Sequence, residues 1–231
     1  MSYSRDDMIR ELRENTPTIF APNCWGGLTY HHLGLEFCSP LINMWETHED
    51  YLRLLSDPEH YMSQELRLKE IYDSGLCAPY PIVMLGDVMI RMNHYKDFTQ
   101  AAECWERRKQ RIKWDNIIVM LWDEDIDKIR RFMSLPYKRK ICFAPFETGI
   151  DGVIPVLYRE HENLKTKEFW EIMNNLAQFK YILYDDLSLI YDGSYVKIGD
   201  FDYDPDYRKK RHEKGHEKIK SPKPSGLGLS C

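Results

Sequence analysis

The stretch "NIIVMLWDEDIDKIRRFMSLPYKRKICFAPF" (residues 116–146) decides the fold class. Its first seven residues hold an unbroken apolar run, and "RKICFAPF" repeats the pattern after "DEDIDKIRRFMSL", whose periodicity predicts a helix. Apolar runs without alternation belong to strands covered on both faces, and a helix between two of them predicts a parallel βαβ unit.

Outward from that stretch the pattern recurs. "TPTIFA", "SPLINMW", "IVMLG", "VMIRMNHY" and "GVIPVLYR" read as strands. Helices are predicted over residues 4–14, over "THEDYLRLLSD" with Thr47 as N-cap, over "PEHYMSQELRLKEIY", over "DFTQAAECWERRKQRIK" and over "KTKEFWEIMNNLAQF". The expected fold is α/β, a mostly parallel sheet flanked by helices on both faces. Residues 1–16 form an N-terminal helix and 17–190 a single α/β domain. Residues 191–207 form an acidic strand or loop extension, and 208–231 a basic tail expected to be disordered.

The 231 residues suffice for one large core; 43% apolar and 30% charged residues describe a globular protein. The net charge of −5 argues against nucleic acid as a partner. The charged start "MSYSRDDMIRELRENTP" is no signal peptide, and no apolar window reaches the length of a transmembrane segment, so a cytoplasmic protein is expected. Six cysteines without a C-x-x-C pair fit free thiols in that compartment.

Ligands of open α/β sheets collect beyond the carboxyl ends of strands. Three segments qualify. In "NCWGG" (23–27), Gly26 and Gly27 before a helix could leave backbone amides facing an anion, with Asn23, Cys24 and Trp25 beside them; alternatively the glycines only serve a strand-to-helix turn. Cys24 as a nucleophile would need a depressed pKa, and a packed thiol is the commoner reading. His31 and His32 are adjacent on a helix and cannot easily chelate one ion, so a zinc site is rejected. In "DED" (123–125), an N-cap at Asp123 outweighs a metal-binding D-x-D. In "CWERRKQRIKWDN" (104–116), arginine forks beside Trp105 and Trp114 suit a phosphate or sugar-nucleotide ligand, or else form a solvated basic face.

Together the loop Asn23–Gly27, the pair His94-Tyr95 after a strand, and "WERRKQRIKWDN" from Trp105 to Asn116 resemble the "domain of unknown function 1919" family of bacterial proteins, often labelled exopolysaccharide biosynthesis proteins. That resemblance covers residues 17–190 and implies work on surface glycans; it carries no established catalytic residue or cofactor. The expectation is a transferase using a nucleotide- or phosphate-linked sugar. Asn23, Gly26 and Gly27 would hold the donor's anion, with Cys24 in the same loop. Arg107, Arg108 and Arg111 would neutralise the leaving diphosphate, and His94 or Asp87 would act as general base. Trp25, Tyr95 or Trp105 would stack on a sugar ring. The alternative is a non-catalytic carbohydrate-, nucleotide- or protein-binding partner.

Overall fold

The computed structural model describes residues 4–178 and 183–201. In chain order the elements begin with α1 (Arg5–Glu14), β1 (Thr18–Phe20), α2 (Trp25–Leu33), β2 (Trp45–Glu46), α3 (His48–Ser56) and α4 (Pro58–Ser63). Next come β3 (Leu66–Tyr72), β4 (Tyr80–Leu85), β5 (Val88–Arg91), α5 (Phe98–Lys109), β6 (Ile117–Trp122) and α6 (Ile126–Ser134). The last are β7 (Arg139–Ala144), β8 (Val153–Pro155), α7 (Phe169–Ala177) and α8 (Asp186–Tyr191).

The βαβ unit expected at 116–146 is present as β6–α6–β7. It lies in a parallel sheet of order β1-β6-β7-β8. Alternate residues of these strands enter two different cores. Ile19, Ile118, Met120, Ile141 and Phe143 pack with α2, α7 and α8 on one face. Phe20, Val119, Leu121, Cys142 and Ala144 pack with α3, α5 and α6 on the other. Each large side chain so buried contributes about 1.5–3 kcal/mol. Two-sided burial is why the strands read as continuous apolar runs.

The expectation of a mostly parallel sheet needs correction. The chain between β1 and β6 builds a second sheet, fully antiparallel, of order β2-β5-β4-β3. Nearly every residue of β4 is buried, so it lacks the alternation that marks a strand with one wet face. The helix predicted from Pro58 to the approach of Gly75 ends at Ser63, and the chain then runs into β3, paired with β4 from Leu66↔Leu85 to Tyr72↔Tyr80. Leu, Arg, Lys and Glu favour helices, and pairing with β4 overrides that local preference. The strand predicted over 39–45 shrinks to β2, because Asn43 sits at φ 59°, outside extended conformation.

The inserted sheet is tied to β1. The Glu46 amide donates to the Pro22 carbonyl (3.1 Å), and the Tyr51 hydroxyl to the Phe20 carbonyl (2.7 Å). In the acidic strand or loop extension expected at 191–207, the described part reaches residue 201 and holds an isolated antiparallel bridge, Lys197 to Tyr184; Asp200 meets His161 there at 3.1 Å. Its remainder and the basic tail lie outside the described residues. No helix among the described residues is long and apolar enough to cross a membrane.

Candidate functional site

A cavity of about 610 Å³ opens at the carboxyl ends of β1 and β6, where β2 and the start of α3 come against them. Its wall takes Asn23 and Cys24 from the turn after β1, Glu46 and His48 from β2 and α3, Asn93 and His94 after β5, and Trp122 at the end of β6. Trp45 and Trp170, both partly exposed, complete an aromatic lining.

His48 is the first residue of α3, whose N-cap Thr47 accepts from the Asp50 amide at 3.1 Å. That start fixes the imidazole against Asp123, one residue beyond β6. Nδ1 lies 2.6 Å from Asp123 Oδ2, and the ring stands edge-on to Trp122 with centroids 4.6 Å apart. Burial works against the Asp123 charge. Hydrogen bonds from His48 and from the Asp125 amide, with the Lys128 charge, outweigh it and hold the carboxyl below its ordinary value. Asp123 is therefore an acceptor for Nδ1–H, which leaves Nε2 as the basic nitrogen.

Glu46 is 3% exposed, and neither carboxyl oxygen has a hydrogen-bond partner among the described residues. Burial, then the negative charge of Asp50, pushes its pKa well above the carboxylate range. Asn93 Oδ1 and Trp122 Nε1 are likewise buried without partners. Unsatisfied polar atoms inside native structures are rare, and three residues that line this cavity carry them.

The sequence candidates divide among this cavity, the interior and the outer surface. Asn23, Cys24 and His94 line it. Asn23 Oδ1 accepts from the Trp25 amide at 2.9 Å, burial pushes the Cys24 thiol up to about 11, and partial desolvation lowers His94 although its residue stays largely at the rim. Cys24 is thus a neutral thiol, not a thiolate nucleophile. Trp25 faces inward, 2% exposed, its Nε1 donating to the Tyr184 hydroxyl at 3.0 Å. Gly26 and Gly27 belong to α2 and have ordinary φ; a Cβ at Gly26 would meet Ile19 at 3.3 Å, and one at Gly27 would meet Ile42 at 3.2 Å. The pair therefore permits close helix packing.

Trp105 is buried in the second core, and Tyr95 beside it is 5% exposed. Arg108 donates to the Tyr95 hydroxyl at 2.7 Å, Arg111 meets Glu36 at 3.3 Å, and Arg107 lies on the exposed side of α5. Asp87 sits at the β4–β5 turn, accepting from the Tyr61 hydroxyl at 2.8 Å. None of these six residues lines the cavity. The helix cap expected at Asp123 is supplied by Asp125, which accepts from the amides of Asp127 and Lys128.

Glu46, His48 and Asp123 are the residues sequence reasoning passed over. The available signal was "WETHED" (45–50), a histidine among acids directly after an apolar run, which reads equally well as a capped helix start.

The family model described as "Domain of unknown function (DUF1919)" matches residues 3–190. The chain belongs to this family. A Haemophilus influenzae protein described as "Uncharacterized protein" is 34% identical over 138 residues, 58% of this chain and 65% of that relative. The match thus spans just under two thirds of the relative's length. The family's region takes in every element from α1 to α7, all the residues of the cavity, and α8 up to Ile190.

Proposed function

We propose that this DUF1919 protein is a carbohydrate-modifying enzyme that activates a sugar hydroxyl by general-base catalysis, for group transfer onto that oxygen. The observation that carries the reading is the His48–Asp123 pair, 2.6 Å apart on the wall of an indole-lined cavity. His48 Nε2 takes the proton of the hydroxyl as its oxygen forms the new bond to the transferred group. The bond to the leaving group breaks, and the leaving group departs with the electron pair. Asp123 stabilises the imidazolium so formed and holds the tautomer that presents Nε2. Trp45, Trp122 and Trp170 offer flat apolar faces of the kind on which sugar rings stack.

The transfer chemistry expected from the sequence is kept, and the role given to the arginines is not. No Lys or Arg is among the described residues lining the cavity, so none of these offers a diphosphate a cation. A donor whose transferred part is uncharged, with its activating group at the mouth, suits the cavity better.

The test pairs acceptor sugars with nucleotide-, lipid-phosphate- and acyl-activated donors and follows product by mass spectrometry. Product formation that disappears in His48→Ala, with circular dichroism unchanged, is the expected result. Sugars that bind while no donor yields product would make the cavity a binding site and favour the non-catalytic carbohydrate-binding role.

A further inference from the structure

We infer that the cavity recognises an amine-bearing sugar, with Glu46 and Asn93 as the ammonium subsite. This rests on the reading of the cavity as a sugar site and names the substrate class.

Among the described residues, Asn93 Oδ1 and the two oxygens of an ionised Glu46 are three acceptors without partners. A hydroxyl brings one donor, whereas an ammonium group brings three. Charge points the same way. The ionisable groups around Glu46 are Asp50 on α3, the Tyr51 hydroxyl, the His48–Asp123 pair, and Cys24 and His94 across the cavity. Arg91, on the neighbouring strand, stands opposite Trp45 in the register and stacks on that indole at 4.2 Å, whereas Glu46 stands opposite Ile90. Among the described residues no Lys or Arg lines the cavity, so none of them supplies a cation to this buried carboxyl. A ligand ammonium would.

The proton balance is specific. In the free protein, burial and then the Asp50 charge favour the neutral acid form of Glu46. When R–NH₃⁺ binds, the carboxyl ionises, an N–H···O⁻ pair forms, and the displaced proton goes to solvent. Binding of an amine therefore releases a proton; binding of a neutral sugar does not.

The experiment titrates the full chain with glucosamine, glucose and N-acetylglucosamine, following tryptophan fluorescence. Calorimetry below neutral pH in two buffers of different ionisation enthalpy gives the proton count. Glucosamine is expected to bind at least about tenfold more tightly than the other two, the size of a charge-assisted contact, with close to one proton released. In Glu46→Gln the preference should vanish. The proton count needs only the wild-type chain, so it stands even if the variant fails to fold. Equal binding of all three sugars, amine binding without proton release, or a preference surviving in Glu46→Gln would overturn the inference while leaving a sugar site intact. Binding of none would overturn both.

Discussion

Arg108 and Tyr95 form a buried pair: the guanidinium, on a residue 2% exposed, donates to the phenol oxygen at 2.7 Å, and that hydroxyl in turn donates to the Ile42 carbonyl at 2.7 Å. Ile42 also receives the close approach of Gly27. α5 and the start of α2 are thus linked through packed groups in the interior, away from the cavity.

A buried guanidinium with a neutral phenol as partner has little to offset its desolvation. Arg108→Ala should lower stability by about 2–4 kcal/mol, through the cavity created and the phenol left with fewer partners. Arg108→Met, which keeps most of the volume, should cost clearly less. Urea denaturation of both variants checks the order. If the methionine variant is as unstable as the alanine one, the charge itself holds this region together.

Asp123→Asn removes the group that orients His48 while keeping its size. Turnover should fall on the order of 10²–10⁴-fold with the melting temperature little changed. Kinetics of purified variant and wild type on whichever substrate the donor screen reveals would show it. A variant that keeps its rate would remove Asp123 from the mechanism.

Glu46 gives stability an unusual dependence on pH. Its folded-state pKa lies above the ordinary 4.5, so above that value the unfolded chain loses a proton that the folded chain retains. Stability therefore falls as pH rises, until the folded-state carboxyl itself ionises. The slope from this one group is at most about 1.4 kcal/mol per pH unit. Glu46→Gln should flatten that decline, and its advantage over wild type should grow from mildly acidic toward alkaline conditions. Denaturation curves across pH test this; parallel curves would mean that Glu46 is ionised in the folded protein.

The two glycines of α2 should respond unequally to alanine. A Cβ at Gly26 meets Ile19 Cγ2 at 3.3 Å, and at 3.5 Å both Ala21 and the Ile19 carbonyl, a wall made partly of strand backbone. One at Gly27 meets only the Ile42 side chain, nearest at 3.2 Å. Overpacking at Gly26 should outweigh the gain of about 1 kcal/mol in helix propensity, leaving Gly26→Ala destabilised by about 1–2 kcal/mol. Gly27→Ala should be closer to neutral. Melting temperatures decide it.

How much could be read in the sequence depends on how local each signal is. The parallel frame was visible because β1, β6 and β7 are covered on both faces and carry that burial in consecutive residues. β3 was not, since its helix-forming composition is overridden by a partner strand eight residues further on. In the site, Asn23, Cys24 and His94 could be picked out because each comes after a strand. The His48–Asp123 pair spans 75 positions, and nothing near Asp123 distinguishes it from a helix cap. Arg108 stood out by its company of charges and indoles, yet its nearest polar neighbour is a phenol in the core.

The tie between the Glu46 amide and the Pro22 carbonyl has a consequence for how the molecule matures. The parallel sheet contributes Asp123, and α3, which follows β2 of the antiparallel sheet directly, contributes His48, so on the proposed mechanism neither layer alone holds a base with its orienting acid. A folding intermediate with one layer formed is chemically silent, and onset of turnover during refolding would time the moment at which the two layers dock.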